Sequence, residues 1–195
     1  MRKLQAFTIV SVDGYFAGPN GEIDWFKGEQ DDEEQAFSAE VSKMGGMLLF
    51  GRTTYEMMKG FWPTPQAIKG DPVMAGVMNS SPKIVFSKTM KPEKDGPVWK
   101  NIRVIPELTP ETIISLKKDG EGGMTILGSG TIVQQLSNLG LIDEYQLMVV
   151  PVILGAGKYL LRDVKRMNLT LAGTRVFKKS GRVLLTYEPA GPGAA

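Results

Sequence analysis

Short, wholly apolar runs alternate with segments of helical period over the first two thirds of the chain; longer strand-like stretches fill the last third. LQAFTIVSV (residues 4–12) is rich in β-branched and aromatic residues and stops at the turn pair Asp13-Gly14, which predicts a strand. MLLF (47–50) lies between glycines and is apolar at every position, as expected of a strand buried on both faces. KIVFS (83–87), IRVIP (102–106) and MTIL (124–127) read as further short strands. DDEEQAFSAEVSKM (31–44) predicts a helix: acids in its first turn favour the dipole, and Gly45-Gly46 ends it. Helical pieces follow at TTYEMMKG (53–60), 72–79, 110–118 and 131–138, and YFAGPNGEIDW (15–25) reads as a loop. EYQLMVVPVIL (144–154), NLTLAGTRVFK (168–178) and RVLLTYE (182–188) predict strands, the last two forming a hairpin through Lys179-Ser180-Gly181. Alternation of this kind argues for an α/β domain with a mostly parallel sheet, helices on both faces and an antiparallel hairpin at one edge. One domain is expected over residues 1–188, with a disordered tail at 189–195.

Composition narrows the chemistry. The chain has 195 residues, no cysteine and no histidine, so thiolate nucleophiles, Cys or His metal sites and histidine acid–base catalysis are all excluded. Proton transfer falls to Asp, Glu, Lys, Tyr, a cofactor or water. A formal net charge of +2 points to no nucleic-acid or membrane surface. The longest apolar run, LMVVPVIL (147–154), is far below the ~20 residues that cross a bilayer. The basic start MRK is followed by a stretch broken by Gln5, Thr8 and Ser11, without a cleavage site, so a cytoplasmic protein is expected. The acids at 31–34 lack the alternating spacing and glycine of a calcium loop, and no metal is expected.

Two strand-to-helix junctions stand out, LLFGRTTYE (48–56) and ILGSGTIVQ (126–134). Both put glycine directly after the strand and threonine at the helix start. Glycine lets the backbone approach an anion closely, and first-turn amides bind phosphate oxygens. Thr53, Thr54, Ser129 and Thr131 add hydroxyls. A tight turn and a threonine cap account for either junction alone; the pair together, with Arg52 inside the first, favours a phosphate-bearing ligand. The Rossmann fingerprint fits poorly, because Gly128-x-Gly130-x-x-Val133 lacks its third glycine and comes late in the chain. No Walker loop is present, and Ser129 has no histidine to activate it.

SVDGYFAGPNGEIDW, LLFGRTTYEMM, KIVFSK and TILGSGTIVQQLSNLGLIDEYQLMVVPVILG resemble the dihydrofolate-reductase-like family in order and spacing. Within it, the chain is most similar to the C-terminal reductase domain of bifunctional riboflavin-biosynthesis proteins. The resemblance implies a three-layer fold with a mostly parallel sheet of about eight strands and a C-terminal antiparallel hairpin. It implies NADPH as cofactor and reduction of a small heterocycle, 5-amino-6-(5-phosphoribosylamino)uracil or a relative of it. A stand-alone reductase of other specificity, dihydrofolate included, and a non-catalytic NADP-binding sensor are the alternatives. By the same resemblance Val10 and the loop after it border the nicotinamide. Gly51, Arg52, Thr53 and Thr54 take the adenosine end, Arg52, Ser87 and Lys88 the 2′-phosphate, and Gly128, Ser129, Gly130 and Thr131 the pyrophosphate. Asp13 and Asp24 are the candidate proton donors, although Asp13 also suits a turn. Trp25, Tyr55 and Trp62 either wall the substrate or pack in the core. No acid at 31–34 matches the pterin-binding carboxylate of dihydrofolate reductase; they read as a solvated first turn. A homodimer is expected, because 147–154 is unusually apolar for an outer strand.

Overall fold

The computed structural model describes residues 1–26, 32–44, 46–91 and 99–191. Its elements run β1 (Leu4–Ser11), β2 (Tyr15–Ala17), a 3-10 turn (Asp24–Phe26), α1 (Asp32–Met44), β3 (Gly46–Gly51) and α2 (Arg52–Phe61). Next come α3 (Pro65–Gly70), α4 (Pro72–Ser80), β4 (Lys83–Phe86), β5 (Ile102–Ile105), α5 (Pro110–Lys118), β6 (Gly123–Leu127) and α6 (Gly130–Asn138). The chain closes with β7 (Glu144–Val150), β8 (Lys158–Tyr159), β9 (Leu169–Phe177) and β10 (Arg182–Pro189).

Eight strands form one sheet in the order β5-β4-β3-β6-β1-β7-β10-β9. The pairs from β5 to β7 are parallel, and β10 runs antiparallel to both β7 and β9. The α/β class, the mostly parallel eight-stranded sheet and the C-terminal hairpin are as the sequence predicts.

Strict alternation in β1 sends Leu4, Ala6, Thr8 and Val10 to one face, where Leu4, Ala6 and Val10 share a core with Ile113 and Leu116 of α5 and Val133 and Leu136 of α6. The opposite face carries two smaller cores. Phe50, Tyr55, Val85 and Trp99 form one; Met148, Phe177 and Leu184, with Phe7, Ile9 and Phe37 against them, form the other. Helices therefore cover the sheet on both sides.

Four details differ from the sequence reading. Residues 15–17 are not loop but β2, which pairs with β8 as a separate two-stranded ribbon. Helix α3, begun by Thr64 and Pro65, was not foreseen. β10 includes Pro189, which the sequence reading placed in a tail, and 192–195 lie outside the described residues, as do Asp31 and Gly45. Most consequentially, β7 is an interior strand flanked by β1 and β10. Its apolar character follows from burial between neighbours and carries no information about a dimer. Among the described residues, no helix is long and apolar enough to cross a membrane.

The connection order sets the site. From β1 the chain moves outward through β3, β4 and β5, then β6 returns between β3 and β1, and β7 goes to the other side of β1. Such a reversal opens a crevice at the carboxyl ends of the strands. The exits of the parallel strands β1, β3, β4 and β6 all lie on that edge of the sheet.

Candidate functional site

The two glycine-bearing exits touch each other. Gly51 donates its backbone N–H to Ser129 Oγ at 2.9 Å, so the end of β3 is tied to the turn after β6. The glycines differ in why they are bare. Gly128 adopts φ +55, which a side chain disfavours. A Cβ on Gly130 would stand 2.7 Å from the ring of Phe16, so that glycine is required by the protein's own packing. Gly51 has an ordinary φ of −81, and a Cβ there would meet Ile132 and Ser129 only at 3.5–3.6 Å. Nothing internal demands glycine at 51, which leaves room for close approach from outside.

Helix ends point the same way. α3, α4 and α5 are capped by the side chains of Thr64, Asp71 and Thr109, each with proline at the first turn. α2 and α6 carry no side-chain cap. In α6 the Ser129 carbonyl accepts from Ile132 and Val133, so the amides of Gly130 and Thr131 precede the first of these bonds. Two positive helix ends thus face one crevice with amides to offer an anion.

Beside them, Arg52 Nε donates to Glu56 Oε1 at 2.7 Å and its Nη1 to Thr89 Oγ1 at 2.9 Å, leaving the side chain 49% exposed. Arg52 therefore reaches the loop that leaves β4. In that loop Ser87 Oγ accepts the amides of Thr89 and Met90, while Lys88 extends to Glu107 at 3.6 Å. Arg52 and Ser87 both bond Thr89, an unforeseen partner that links the start of α2 to the loop after β4. Thr54 lies against Gly128, and Thr53 and Thr131 are exposed at the helix starts.

Around β1 the sequence reading fares less well. Asp13 accepts the amides of Leu154 at 3.2 Å and Gly155 at 2.8 Å. The Ser11 hydroxyl, and then these amides, hold its carboxyl below the ordinary range. It anchors the loop in its ionised form, an environment that does not favour the proton donation expected of it. Asp24 sits exposed in the 3-10 turn. Tyr55 is 1% exposed and stacks on Trp99, centroids 5.7 Å apart, so it belongs to the core and walls no cleft. Trp62 donates to Met58 Sδ at 3.1 Å and packs in the same layer. Trp25 is half-buried, bonds the Glu22 carbonyl and meets Phe26 edge to face. The side chain of Val10 lines a cleft of about 420 Å³, with Leu147, Tyr159 and Leu160 around it. Glu34 is no solvated acid: it is 5% exposed and pairs with Arg182 at 2.9 Å, and Arg182 also donates to the Phe26 carbonyl.

Two contributors escaped the sequence. Phe16 meets Gly130 across 114 positions, a contact no local pattern announces. Tyr15 and Tyr159 stack at 4.2 Å and join their hydroxyls at 2.9 Å, fastening the loop after β1.

A model of the RibD C-terminal domain matches residues 2–183. The chain belongs to the RibD C-terminal domain family. It is 30% identical over 179 residues to the uncharacterized protein YyaP of Bacillus subtilis (strain 168), covering 91% of this chain and 90% of that one. A Shewanella sp. PV-4 protein provisionally assigned to riboflavin biosynthesis superposes with a TM-score of 0.75 at 22% identity, over 97% of this chain and 99% of that one. Dihydrofolate reductase from Enterococcus faecalis, in complex with NADP(H) and RAB-propyl, superposes with a TM-score of 0.61 at 17% identity, over 97% of both chains. The architecture is that of dihydrofolate reductase.

Proposed function

We propose that the chain is an NADPH-dependent reductase that passes hydride to a small planar heterocycle or to an imine or carbonyl group. One observation carries this reading: two uncapped helix starts, α2 and α6, are fastened side by side at the crevice, with Arg52 alongside. That donor set fits a dinucleotide diphosphate flanked by a further phosphate. The NADP(H) complex of the E. faecalis enzyme, which shares the architecture, supports the choice of cofactor.

When bound, NADPH supplies the hydride, and this chain's residues supply binding, orientation and exclusion of water. Amides at the starts of α2 and α6 hold the diphosphate. Arg52 holds the 2′-phosphate and must share its guanidinium with Glu56, while Thr89 keeps it aimed. Asp13 positions the loop after β1, so the proton that completes reduction is left to Asp24, which is exposed in the 3-10 turn, or to water. Among substrates, 5-amino-6-(5-phosphoribosylamino)uracil leads by family, with dihydrofolate and other heterocycles behind it. A second reading, an NADP-binding sensor without turnover, draws support from the anchored state of Asp13.

Titration with NADPH and NADH, followed by loss of reduced-nicotinamide absorbance over pyrimidines, pterins and ketones, separates these readings. Preference for NADPH with turnover is the expected result. Binding without turnover on any substrate favours the sensor. Arg52→Ala should weaken NADPH by about tenfold or more and NADH little, since a charged hydrogen bond contributes roughly 1.5–3 kcal/mol. Equal loss for both nucleotides removes Arg52 from the 2′-phosphate.

A further inference from the structure

Ser129 turns its side chain inward. Its Oγ accepts the Gly51 amide at 2.9 Å across 78 positions, and the residue is only 8% exposed. Its backbone is left-handed, φ 56 and ψ 64, a conformation that disfavours a residue with a Cβ. A glycine there would avoid that cost. The hydroxyl gives α6 no cap; among the described residues its bond runs to the neighbouring exit. At the next position Phe16 presses on Gly130, fixing the turn from its other side.

Resting on the reductase reading, we propose that Ser129 is a positioning residue for the cofactor and not a ligand of it. Its hydroxyl latches the exit of β3 to the exit of β6. The latch holds the starts of α2 and α6 at one separation, so their amides converge on a single diphosphate without an ordering cost at the moment of binding. It also occupies the Gly51 amide, leaving the amides beyond it to the ligand.

The apo protein offers a readout independent of turnover. In Ser129→Ala, hydrogen exchange at the Gly51 amide should accelerate about tenfold or more, and Kd for NADP⁺ should rise by about the same factor. kcat at saturating cofactor should stay within about twofold, as for an interaction made equally in ground and transition states. Ser129→Asn should restore both Gly51 protection and affinity, because asparagine tolerates the left-handed region and its side-chain oxygen accepts the same amide. Ser129→Gly, unstrained but without an acceptor, should restore neither. The proposal is overturned if Gly51 exchange is unchanged in Ser129→Ala. It is also overturned if affinity is lost in Ser129→Asn while Gly51 stays protected, since the hydroxyl would then serve the ligand directly. A wild type that binds no NADP⁺ overturns the cofactor reading, and this role with it; a wild type that binds, with Ser129→Ala binding as well, overturns the latch alone.

Discussion

At the residue scale, two charged side chains show how partners decide a role. Asp13 is held ionised by the Ser11 hydroxyl and the Gly155 and Leu154 amides. A group with a depressed folded pKa stabilises the protein above its unfolded value and loses that contribution as pH falls through the folded one. The melting midpoint of Asp13→Asn should therefore lie below wild type at neutral pH, and the gap should narrow on acidification below the ordinary 3.8. Turnover near neutrality should keep the same pH dependence in both if Asp13 gives no proton. Lys83 is the opposite case. The residue is 1% exposed, and its ammonium lies among the carbonyls of Asn79 at 3.2 Å, Ser81 at 2.7 Å and Lys100 at 3.2 Å, and 4.6 Å from the Trp99 ring centre. Those carbonyls, two of them at the end of α4, favour the cation, yet burial dominates and lowers its pKa to about 8. Below that value folded and unfolded chains are both protonated and the burial penalty is constant. From about 8 up to the ordinary 10.5 the unfolded chain binds more protons, so Lys83 makes stability rise with pH. Urea midpoints of wild type should climb relative to Lys83→Met between those values. A constant difference would mean that the buried amine does not titrate there.

At the scale of elements, the glycines of the two exits invite a direct comparison. Gly130→Ala forces a Cβ into the Phe16 ring and should cost about 1–3 kcal/mol of stability, in the range of overpacked sites. Gly51→Ala meets only ordinary contacts at an ordinary φ, so it should leave stability unchanged or raise it by about 0.4–1 kcal/mol, while weakening NADP⁺. Chemical denaturation beside nucleotide titration measures both. A Gly51→Ala protein that binds NADP⁺ like wild type would show that the crevice admits no close ligand at that exit. The same contrast explains what was legible. α5 was readable to the residue, since Thr109, Pro110 and the lysines of its last turn are all local signals. α3 had a local signal too, Thr64-Pro65, but six residues hold no periodic stripe. β2 looked like loop because its partner, β8, is two residues long and more than 140 positions away. Glu34 resembles any first-turn acid until Arg182, 148 positions on, arrives to bury it. The exits themselves were visible as glycine next to threonine; that they bond to one another, and that Phe16 explains one of their glycines, are tertiary facts.

For the whole molecule, the question is what covers the far end of the sheet. Val149, Val183 and Val176 form one cross-strand row on β7, β10 and β9, and Tyr145, Tyr187 and Leu171 form another on the same face. α5 and α6 share a core with β1, β3 and β6 on that side. Towards β9 the cover runs out: Val176 is 57% and Leu171 54% exposed, and Ile153, in the segment after β7, is 74% exposed. β9 is moreover an edge strand nine residues long, a length that proteins usually protect. This uncovered face, and not the apolar run at 147–154, is where the homodimer expected from the sequence would have to form. If two copies associated through this face, the contact would be isologous, each presenting the same row to the other, and would remove apolar surface from water at about 25 cal/mol per Å². Val176→Lys paired with Leu171→Lys places two charges on that face at solvent-tolerant positions, so each monomer should fold as before. Sedimentation at micromolar protein is expected to give a dimer for wild type and a monomer for the double variant, with NADP⁺ affinity retained because the crevice lies at the exits of β1, β3 and β6. A monomeric wild type rules out the dimer; a double variant that still dimerises moves the interface to another surface.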